Sequence, residues 1–350
     1  MRTRYLNENY SSLIALTDSK VVWGWSALLI AVLLLLPMLL GSYAMSLSTR
    51  ILIAVIGAVG LNLLNGTTGL VSIGQSGFLA VGAYTNALLI SDFGWPSELS
   101  IPMAGIMAAA FSLLVGIPSL RLRGLYLAIT TMAFAFIVNH AILSATKLTH
   151  GTKGVFLPEK VTFFGIQLIS DNGLYYVTLG ICILLVLVAL NLLRSRIGRA
   201  WMAIRENDIA ARVMGVNLVT YKLLAFMASS FFVGIAGAMM SLQYQFINTD
   251  IFTLLLSIEA LAMIILGGMA SVAGAIIGAV FLTILPEVIR FGVGLLREDL
   301  LDMFSKYIFE VRAMLYGIII VVVLRFEPDG MIGIWNRVKK YWTNWPVALK

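Results

Sequence analysis

Residues 174–193 read LYYVTLGICILLVLVALNLL, twenty positions without one charged side chain. A helix needs about 20 predominantly apolar residues to cross the hydrocarbon core of a bilayer. The whole chain has this character: of 350 residues 60% are hydrophobic and 12% charged, and its mean hydropathy is +0.96. Soluble domains average roughly 45–50% apolar and ~25% charged residues. Because the apolar runs lack the polar alternation of a membrane barrel, the sequence predicts an all-α, polytopic membrane protein.

Apolar runs between polar breaks predict about ten membrane segments in one membrane-embedded domain covering 1–350. The run from Val21 to Leu40 is too long for a signal peptide and is interpreted as the first segment. Residues 1–20 and 326–350 are predicted to be cytoplasmic tails. The predicted segments are 22–40, 51–65, 70–90, 100–118, 125–144, 174–193, 222–243, 254–267, 271–289 and 311–325.

The segment 194–222, RSRIGRAWMAIRENDIAARVMGVNLVTYK, interrupts these runs with six basic residues and two acids. It is rich in helix-forming residues and poor in turn residues, which favours a docking surface for a soluble partner over a simple connector. With a cytoplasmic N-terminus, the inside segments hold 16 of the 24 Lys and Arg residues. The positive-inside bias therefore places this loop and both termini in the cytoplasm of a bacterial inner membrane. It also accounts for the net charge of +7 without a nucleic-acid partner.

A single helix over 200–214 has two stripes, a charged one with Trp201, Arg205, Asp208 and Arg212 and an apolar one with Met202, Ile209 and Val213. Asp208 lies three residues after Arg205 and four before Arg212, so it can pair with either side chain. The apolar stripe faces the membrane domain or a partner cleft, and Gly215 ends the helix. An interfacial helix that binds lipid headgroups is the alternative, but it would carry a more uniformly basic face. The predicted ATPase-coupling residues are Trp201, Arg205, Glu206, Asp208, Arg212 and Gly215.

Two runs, Gly66–Tyr84 and Leu266–Ala279, are rich in glycine and hydroxyl residues. Such a composition makes a poor continuous helix in lipid and allows either close helix packing or a broken helix beside a protected cavity. Both interpretations stay open from sequence alone. Glu259 is a carboxylate well inside a predicted segment, and a hydrogen bond to a neighbouring helix near the interface is favoured over a proton or ion site. The candidate translocation-path residues are Gly69, Ser72, Gln75, Ser76, Gly77, Glu259, Gly267, Gly268, Ser271 and Gly274.

Catalytic and metal-binding patterns are missing from the sequence. Cys182 is the only cysteine, and His140 and His150 have no second ligand or nucleophile beside them. No Gly-x-x-x-x-Gly-Lys-Ser/Thr phosphate loop occurs either. We therefore expect a non-enzymatic chain without cofactor or metal, and any ATP that drives it is hydrolysed on other chains.

At four blocks the chain resembles the permease subunits of ABC importers for branched-chain amino acids, the LivM-like branch, which also includes urea-uptake relatives. The blocks are GLNLLNGTTGLVSIGQSGFLAVGAY at 60–84, PSLRLRGLYLAITTMAF at 118–134, WMAIRENDIAARVMGVNLVTYKLLAF at 201–226 and LAMIILGGMASVAGAIIGAVFLTILPEVIR at 261–290. The resemblance implies an importer made of two ATPase subunits, a second related permease subunit and a periplasmic binding protein. It also implies that residues 201–222 contact the ATPase subunits and that the two Gly-rich blocks surround the translocation pathway.

The chain departs from the family pattern at Phe136 and Asn139, where family members often carry a glutamate and an arginine. These differences leave the solute open between an amino acid and another organic solute such as urea or an aromatic acid. A secondary transporter that binds a coupling ion at Glu259 is the alternative class of function. A membrane scaffold without transport is a third.

Overall fold

The computed structural model describes residues 20–39, 41–119, 122, 124–158, 161–168 and 170–294, together with 314, 317, 318, 321, 322, 325, 330–335 and 337. The described chain is almost entirely helical, as the sequence predicts. The helices are α1 (Lys20–Leu39), α2 (Ser42–Thr68), α3 (Gln75–Ser91), α4 (Ser97–Ser119), α5 (Leu125–Ser144), α6 (Thr146–Thr149), α7 (Asp171–Arg194), α8 (Arg196–Glu206), α9 (Asp208–Val213), α10 (Leu218–Tyr244), α11 (Leu254–Gly267) and α12 (Val272–Gly294).

Four two-residue strands lie in the connections after α6 and α10. Strand β1 (Val155–Phe156) pairs antiparallel with β4 (Phe246–Ile247), so the two connections are joined to each other. Strands β2 (Thr162–Phe163) and β3 (Ile166–Gln167) form a small hairpin, which we call the outer hairpin.

Seven helices in the described part of the chain are long and apolar enough to cross a membrane: α2, α4, α5, α7, α10, α11 with the 3₁₀ turn before it, and α12. This finding confirms a polytopic membrane protein but not the predicted number of ten segments. Helix α3 has 17 residues, and the apolar part of α1 covers Ala27–Met38. Most of the predicted segment 311–325 and of the two tails lies outside the described residues.

Helix α10 packs against α2, α3 and α4 through glycines that let backbones approach closely. A Cβ atom on Gly234 would lie 2.7 Å from the Ala104 carbonyl oxygen, and one on Gly237 would lie 2.3 Å from that of Leu79. A Cβ atom on Gly82 of α3 would lie 2.2 Å from the Gly234 carbonyl oxygen. A larger side chain at these three positions would force the helices apart, so the centre of the bundle depends on glycine.

Buried hydrogen bonds also join these helices. Asn86 of α3 donates its side-chain amide to Ser241 Oγ of α10 at 2.8 Å, and Ser100 of α4 donates its hydroxyl to Asn86 Oδ1 at 2.6 Å. All three residues are fully buried. Because a buried polar group without a partner is costly, this bonded triad fixes the register of α3, α4 and α10.

Candidate functional site

The first Gly-rich run contains a helix break between α2 and α3, which is one of the two arrangements that its composition allows. Helix α2 ends at Thr68, Gly69 has a positive φ of 71°, and regular helix resumes at Gln75. A positive φ favours glycine, which explains Gly69 at the end of α2. The second Gly-rich run is broken in the same way, because α11 ends at Gly267 and α12 begins at Val272. We call residues 69–74 and 268–271 the first and second breaks.

Two asparagines of α2, one turn apart, each hold one of these breaks. Asn65 donates its amide to the Ser72 carbonyl at 3.2 Å and accepts from the Ser72 N–H at 3.1 Å. Asn62 Oδ1 accepts from the Ala270 N–H at 2.9 Å. Both asparagines are buried. Hydrogen bonds therefore connect α2 to both breaks.

A cavity of about 270 Å³ lies between α2, α3, α10, α11 and α12. Its charged lining residues are Arg50, Glu259 and Glu287. Apolar side chains cover much of the remaining wall: Ile53, Leu79, Met240, Leu256, Met263 and Leu282. A concave site with an apolar wall and a few convergent polar groups is typical of small-molecule binding sites.

Three residues of the cavity wall each carry a buried oxygen without a hydrogen-bond partner among the described residues: Gln75 Oε1, Gln243 Oε1 and Thr283 Oγ1. Gln243 donates its amide nitrogen to the Ser46 carbonyl at 2.8 Å, so its bonded group is the nitrogen and its unpartnered atom is the oxygen. Such atoms are rare in folded proteins and indicate a place where a water molecule or a ligand supplies the missing partner.

Of the ten predicted path residues, Gln75 and Glu259 line this cavity. Ser76 receives a hydrogen bond from Ser257 of α11 at 2.9 Å, and Ser271 Oγ accepts from the Gly274 N–H at 3.2 Å. The glycines, by contrast, pack against backbone. A Cβ atom on Gly77 would lie 2.9 Å from Ala135 Cα, one on Gly274 would lie 2.5 Å from the Gly268 carbonyl oxygen, and one on Gly267 would lie 1.9 Å from that of Gly274. Close packing is thus the observed role of Gly77, Gly267 and Gly274.

Sequence reasoning missed four polar lining residues: Arg50, Gln243, Thr283 and Glu287. Arg50, Gln243 and Glu287 lie at or just beyond the ends of predicted segments, where polar residues need no special explanation. Glu287 accepts a hydrogen bond from the Tyr43 hydroxyl and lies 3.9 Å from Arg290. A signal was present in the i+4 spacing of Thr283 and Glu287, which places both on one face of α12.

The predicted single helix over 200–214 is wrong, because Asn207 divides it into α8 and α9. The Asn207 backbone is extended, and its side-chain oxygen accepts from the backbone N–H groups of Ile209 and Ala210 at 3.0 and 3.1 Å. An asparagine in this position is a strong N-cap. Gly215 ends α9 as predicted, with a φ of 87° and its N–H bonded to the Arg212 carbonyl at 3.0 Å.

Trp201 does not share an exposed stripe with Arg205. Its side chain is fully buried, and its indole N–H donates to the Tyr221 carbonyl at 2.8 Å, which ties α8 to α10. Arg205 lies beside the first break, since a Cβ atom on Gly69 would lie 3.3 Å from Arg205 Cγ. Helix α8 is therefore in direct contact with the end of α2.

The predicted apolar stripe is exposed. The exposed fraction is 45% for Met202, 66% for Ile209, 81% for Val213 and 84% for Met214. We call these four residues the α8–α9 apolar patch. The described membrane helices do not cover it, and apolar patches bordered by charged residues mark interaction sites.

Arg205, Glu206 and Arg212 are exposed around the patch. Asp208 is half-buried and lies 3.9 Å from Lys222 Nζ, a partner on α10 that sequence reasoning did not consider. The Lys222 side chain is only 10% exposed, so this ion pair anchors α9 to the start of α10.

The histidines and the family departures lie away from the cavity. His150 Nε2 is 3.0 Å from Asp92 Oδ2 in the connection after α6. Asn139 donates its amide to the Phe252 carbonyl at 2.9 Å, and Phe136 is 53% exposed on the bundle surface. Neither Phe136 nor Asn139 is among the residues that line the cavity.

The chain is similar in sequence to known transport permeases. The family described as "Branched-chain amino acid transport system / permease component" matches residues 43–324. The chain is 33% identical over 319 residues to the high-affinity branched-chain amino acid transport system permease protein LivM of Escherichia coli, and equally to that of Salmonella typhimurium. These alignments cover 85% of the chain and 71% of each relative. A probable permease protein LivH of Methanocaldococcus jannaschii is 25% identical over 81% of the chain and 90% of its own length. No solved structure matches the chain.

Proposed function

We propose that this chain, which belongs to the family of branched-chain amino acid transport permease components, forms the membrane path of an ATP-driven importer. The observation that carries the proposal is the cavity between α2, α3, α10, α11 and α12, combined with an exposed apolar patch on α8 and α9. The first feature suits a small organic solute. The second suits a soluble partner that supplies energy.

The contact of Arg205 with the first break supports a coupling route between these features. A force on α8 reaches the end of α2, and the asparagines of α2 pass it to both breaks. Both broken helices border the cavity, through Gln75 of α3 and Thr283 of α12. Irregular backbone beside a cavity is the usual arrangement in transporters that alternate access.

The assembly we propose has two ATPase chains on the cytoplasmic side, a second, related permease subunit, and a binding protein that delivers solute on the periplasmic side. Both termini then lie in the cytoplasm, which agrees with the distribution of Lys and Arg over the connections. The ATPase-docking surface around the α8–α9 apolar patch includes Arg205, Glu206, Asp208, Arg212 and Gly215. The buried Trp201 stabilises this surface through its hydrogen bond to α10.

An ion-coupled transporter remains the second candidate, because Glu259 lines the cavity. Uptake by proteoliposomes that contain all subunits separates the two. We expect uptake that requires ATP inside the vesicles and continues when sodium and proton gradients are collapsed. Uptake driven by a gradient without ATP, and abolished in Glu259→Gln, would overturn the proposal. A Glu98→Gln variant, on the α4 end near the outer hairpin, is the matched control for loss of a carboxylate.

A further inference from the structure

Residues 330–335, which we call the 330–335 segment, lie against the second break. Gly330 is buried and has a positive φ of 70°, and residues 331–335 follow it as a short helix. A Cβ atom on Gly330 would lie 2.6 Å from the Gly268 backbone nitrogen and 2.8 Å from the Leu266 carbonyl oxygen. Glycine suits both this backbone conformation and this close approach. The backbone of the 330–335 segment is therefore in direct contact with the end of α11.

The backbone of the second break is strained. Ala270 has a positive φ of 66°, a conformation that residues with a Cβ atom rarely adopt, and Gly268 has a φ of 117°. Such conformations persist where the surrounding structure holds them, and they are frequent in parts of proteins that switch between states. One holding contact is the hydrogen bond from the Ala270 N–H to Asn62 of α2. The backbone of Gly330 is a second.

The next side chain connects the 330–335 segment to the cavity wall. Met331 is partly buried and packs against the apolar cluster that joins α11 to α12. Leu282, a member of this cluster, and Met263, which packs against it as well, both line the cavity. Because protein interiors are close-packed, a displacement of Met331 affects its neighbours in the cluster. The 330–335 segment thus contacts the second break and, through this cluster, the cavity wall.

The first break has a corresponding contact, from Arg205 of α8 to Gly69. The two breaks are adjacent, since a Cβ atom on Gly66, at the end of α2, would lie 2.5 Å from the Ala270 nitrogen. Each break is therefore in contact with a segment that lies outside the two helices it joins. For the first break this segment is α8, and for the second it is the 330–335 segment.

We propose that Gly330 and Met331 are positioning residues for transport, which hold the second break and the α11–α12 wall so that ATP-driven movement changes access to the cavity. The inference rests on the proposed function, in which ATP hydrolysis on partner chains moves the helices around this cavity. It gives the 330–335 segment a part in coupling beside that of α8 and α9.

Thiol modification in the complete complex with its ATPase chains tests this role with a methanethiosulfonate reagent as the only probe. Cys182→Ser combined with Ala54→Cys leaves one thiol in this subunit, on the cavity wall. The rate of its modification in nanodiscs is measured from the mass of this subunit, without nucleotide and with ATP and vanadate. We expect nucleotide to change this rate by about tenfold, because access to the cavity is coupled to the state of the ATPase chains.

Gly330→Ala in this background should reduce the nucleotide-dependent change to less than about twofold, while the complex stays assembled and hydrolyses ATP. The added Cβ atom has no room beside Gly268, so the 330–335 segment is displaced from the second break. Gly94→Ala is the matched control, because Gly94 has a φ of 64° and no atom lies within 4 Å of an added Cβ. It introduces comparable backbone strain without a clash and should keep the full change.

Met331→Ala is the second variant, since it removes packing without adding an atom. We expect the same loss of the nucleotide-dependent change, and Met331→Leu, which nearly conserves the side-chain volume, should retain it. Met314→Ala, at an exposed methionine, is the matched control. A purely structural role would lower the Tm of Met331→Ala and leave the nucleotide-dependent change intact.

The outcomes separate this inference from the proposed function. A full nucleotide-dependent change in both Gly330→Ala and Met331→Ala overturns the inference alone. A modification rate that nucleotide does not change in the parent Ala54→Cys protein, with active ATPase chains bound, overturns the proposed function and the inference with it. Loss of the change in both variants, with the full change in both controls, supports the positioning role.

Discussion

Replacing Val213 with asparagine should weaken attachment of the ATPase chains without unfolding the permease. Val213 is 81% exposed in the isolated chain, so most of its surface is available to a partner. Full burial of a valine side chain is worth about 1.5–3 kcal/mol, which gives roughly 1–2.5 kcal/mol for the fraction that docking would cover. Burying an amide in its place adds ~1 kcal/mol. The sum of about 3 kcal/mol corresponds to a dissociation constant raised by roughly 100-fold.

The assay is biolayer interferometry of nanodisc-embedded permease against the purified ATPase chains. Phe164→Asn on the outer hairpin is the matched control, because Phe164 is 79% exposed and its φ of 44° suits asparagine. Both variants should unfold within about 0.5 kcal/mol of the wild type, since neither side chain is buried. If Val213→Asn binds the ATPase chains as tightly as Phe164→Asn, then the α8–α9 apolar patch is not the docking surface.

Asn65→Leu removes both hydrogen bonds to Ser72 and leaves buried backbone groups unpaired, so the free energy of unfolding in detergent should fall by about 2–4 kcal/mol. An unchanged free energy of unfolding would show that the first break does not need the Asn65 hydrogen bonds. Lys222→Met removes the cation that lies 3.9 Å from the half-buried Asp208 and should lower the free energy of unfolding by ~3 kcal/mol. The double variant with Asp208→Asn should recover part of this loss. If the losses of the two single variants simply add in the double variant, the two residues are not coupled. Burial opposes ionisation of Asp92, but hydrogen bonds from its serine and histidine neighbours lower the pKa of this carboxyl below 3.8. Because the pKa of Asp92 is depressed in the folded protein, the stabilisation by this carboxylate is present above pH 3.8 and is lost as the pH falls through the folded pKa. The Tm difference between wild type and Asp92→Asn should therefore disappear in that acid range. A Tm difference that persists there would refute the pairing of Asp92 with His150.

Local composition was sufficient to predict most of the long helices, but it left open whether the glycine-rich runs are broken. Helix α5 spans the predicted 125–144 and α11 the predicted 254–267, because each run ends where polar or glycine residues begin. The glycine and hydroxyl content of 66–84 allowed either close packing or a broken helix, and the structure shows an interruption at 69–74 together with close packing of Gly77. Helix boundaries depend on residues close together in sequence, whereas the choice between those two interpretations depends on what packs against the run.

The coupling segment shows where local reasoning failed. A helical projection identified residues that share a face but could not tell which face the rest of the protein covers. Trp201 was grouped with exposed charges, yet its ring is buried and bonded to Tyr221, twenty residues away. Asn207 was treated as a helix residue, although asparagine followed by Asp208 is a recognisable N-cap signal.

The cavity was only partly predictable, because it is assembled from five helices distant in sequence. Gln75 and Glu259 were identified as polar residues inside apolar runs. Arg50, Gln243 and Glu287 lie near helix ends, and only the packing of α2, α10 and α12 brings them to the same space as Gln75. The sequence alone does not show that these residues lie close together.

The most direct test of the central claim is a thiol block of the cavity during ATP-driven uptake. Cys182 is the only cysteine, so Cys182→Ser provides a background in which Ala54→Cys, on the cavity wall, carries the sole reactive thiol of this subunit. A methanethiosulfonate reagent should stop uptake in the Ala54→Cys protein but not in the Cys182→Ser background, and saturating solute should slow the modification. Full uptake after complete labelling of Ala54→Cys would contradict the assignment of this cavity as the translocation path.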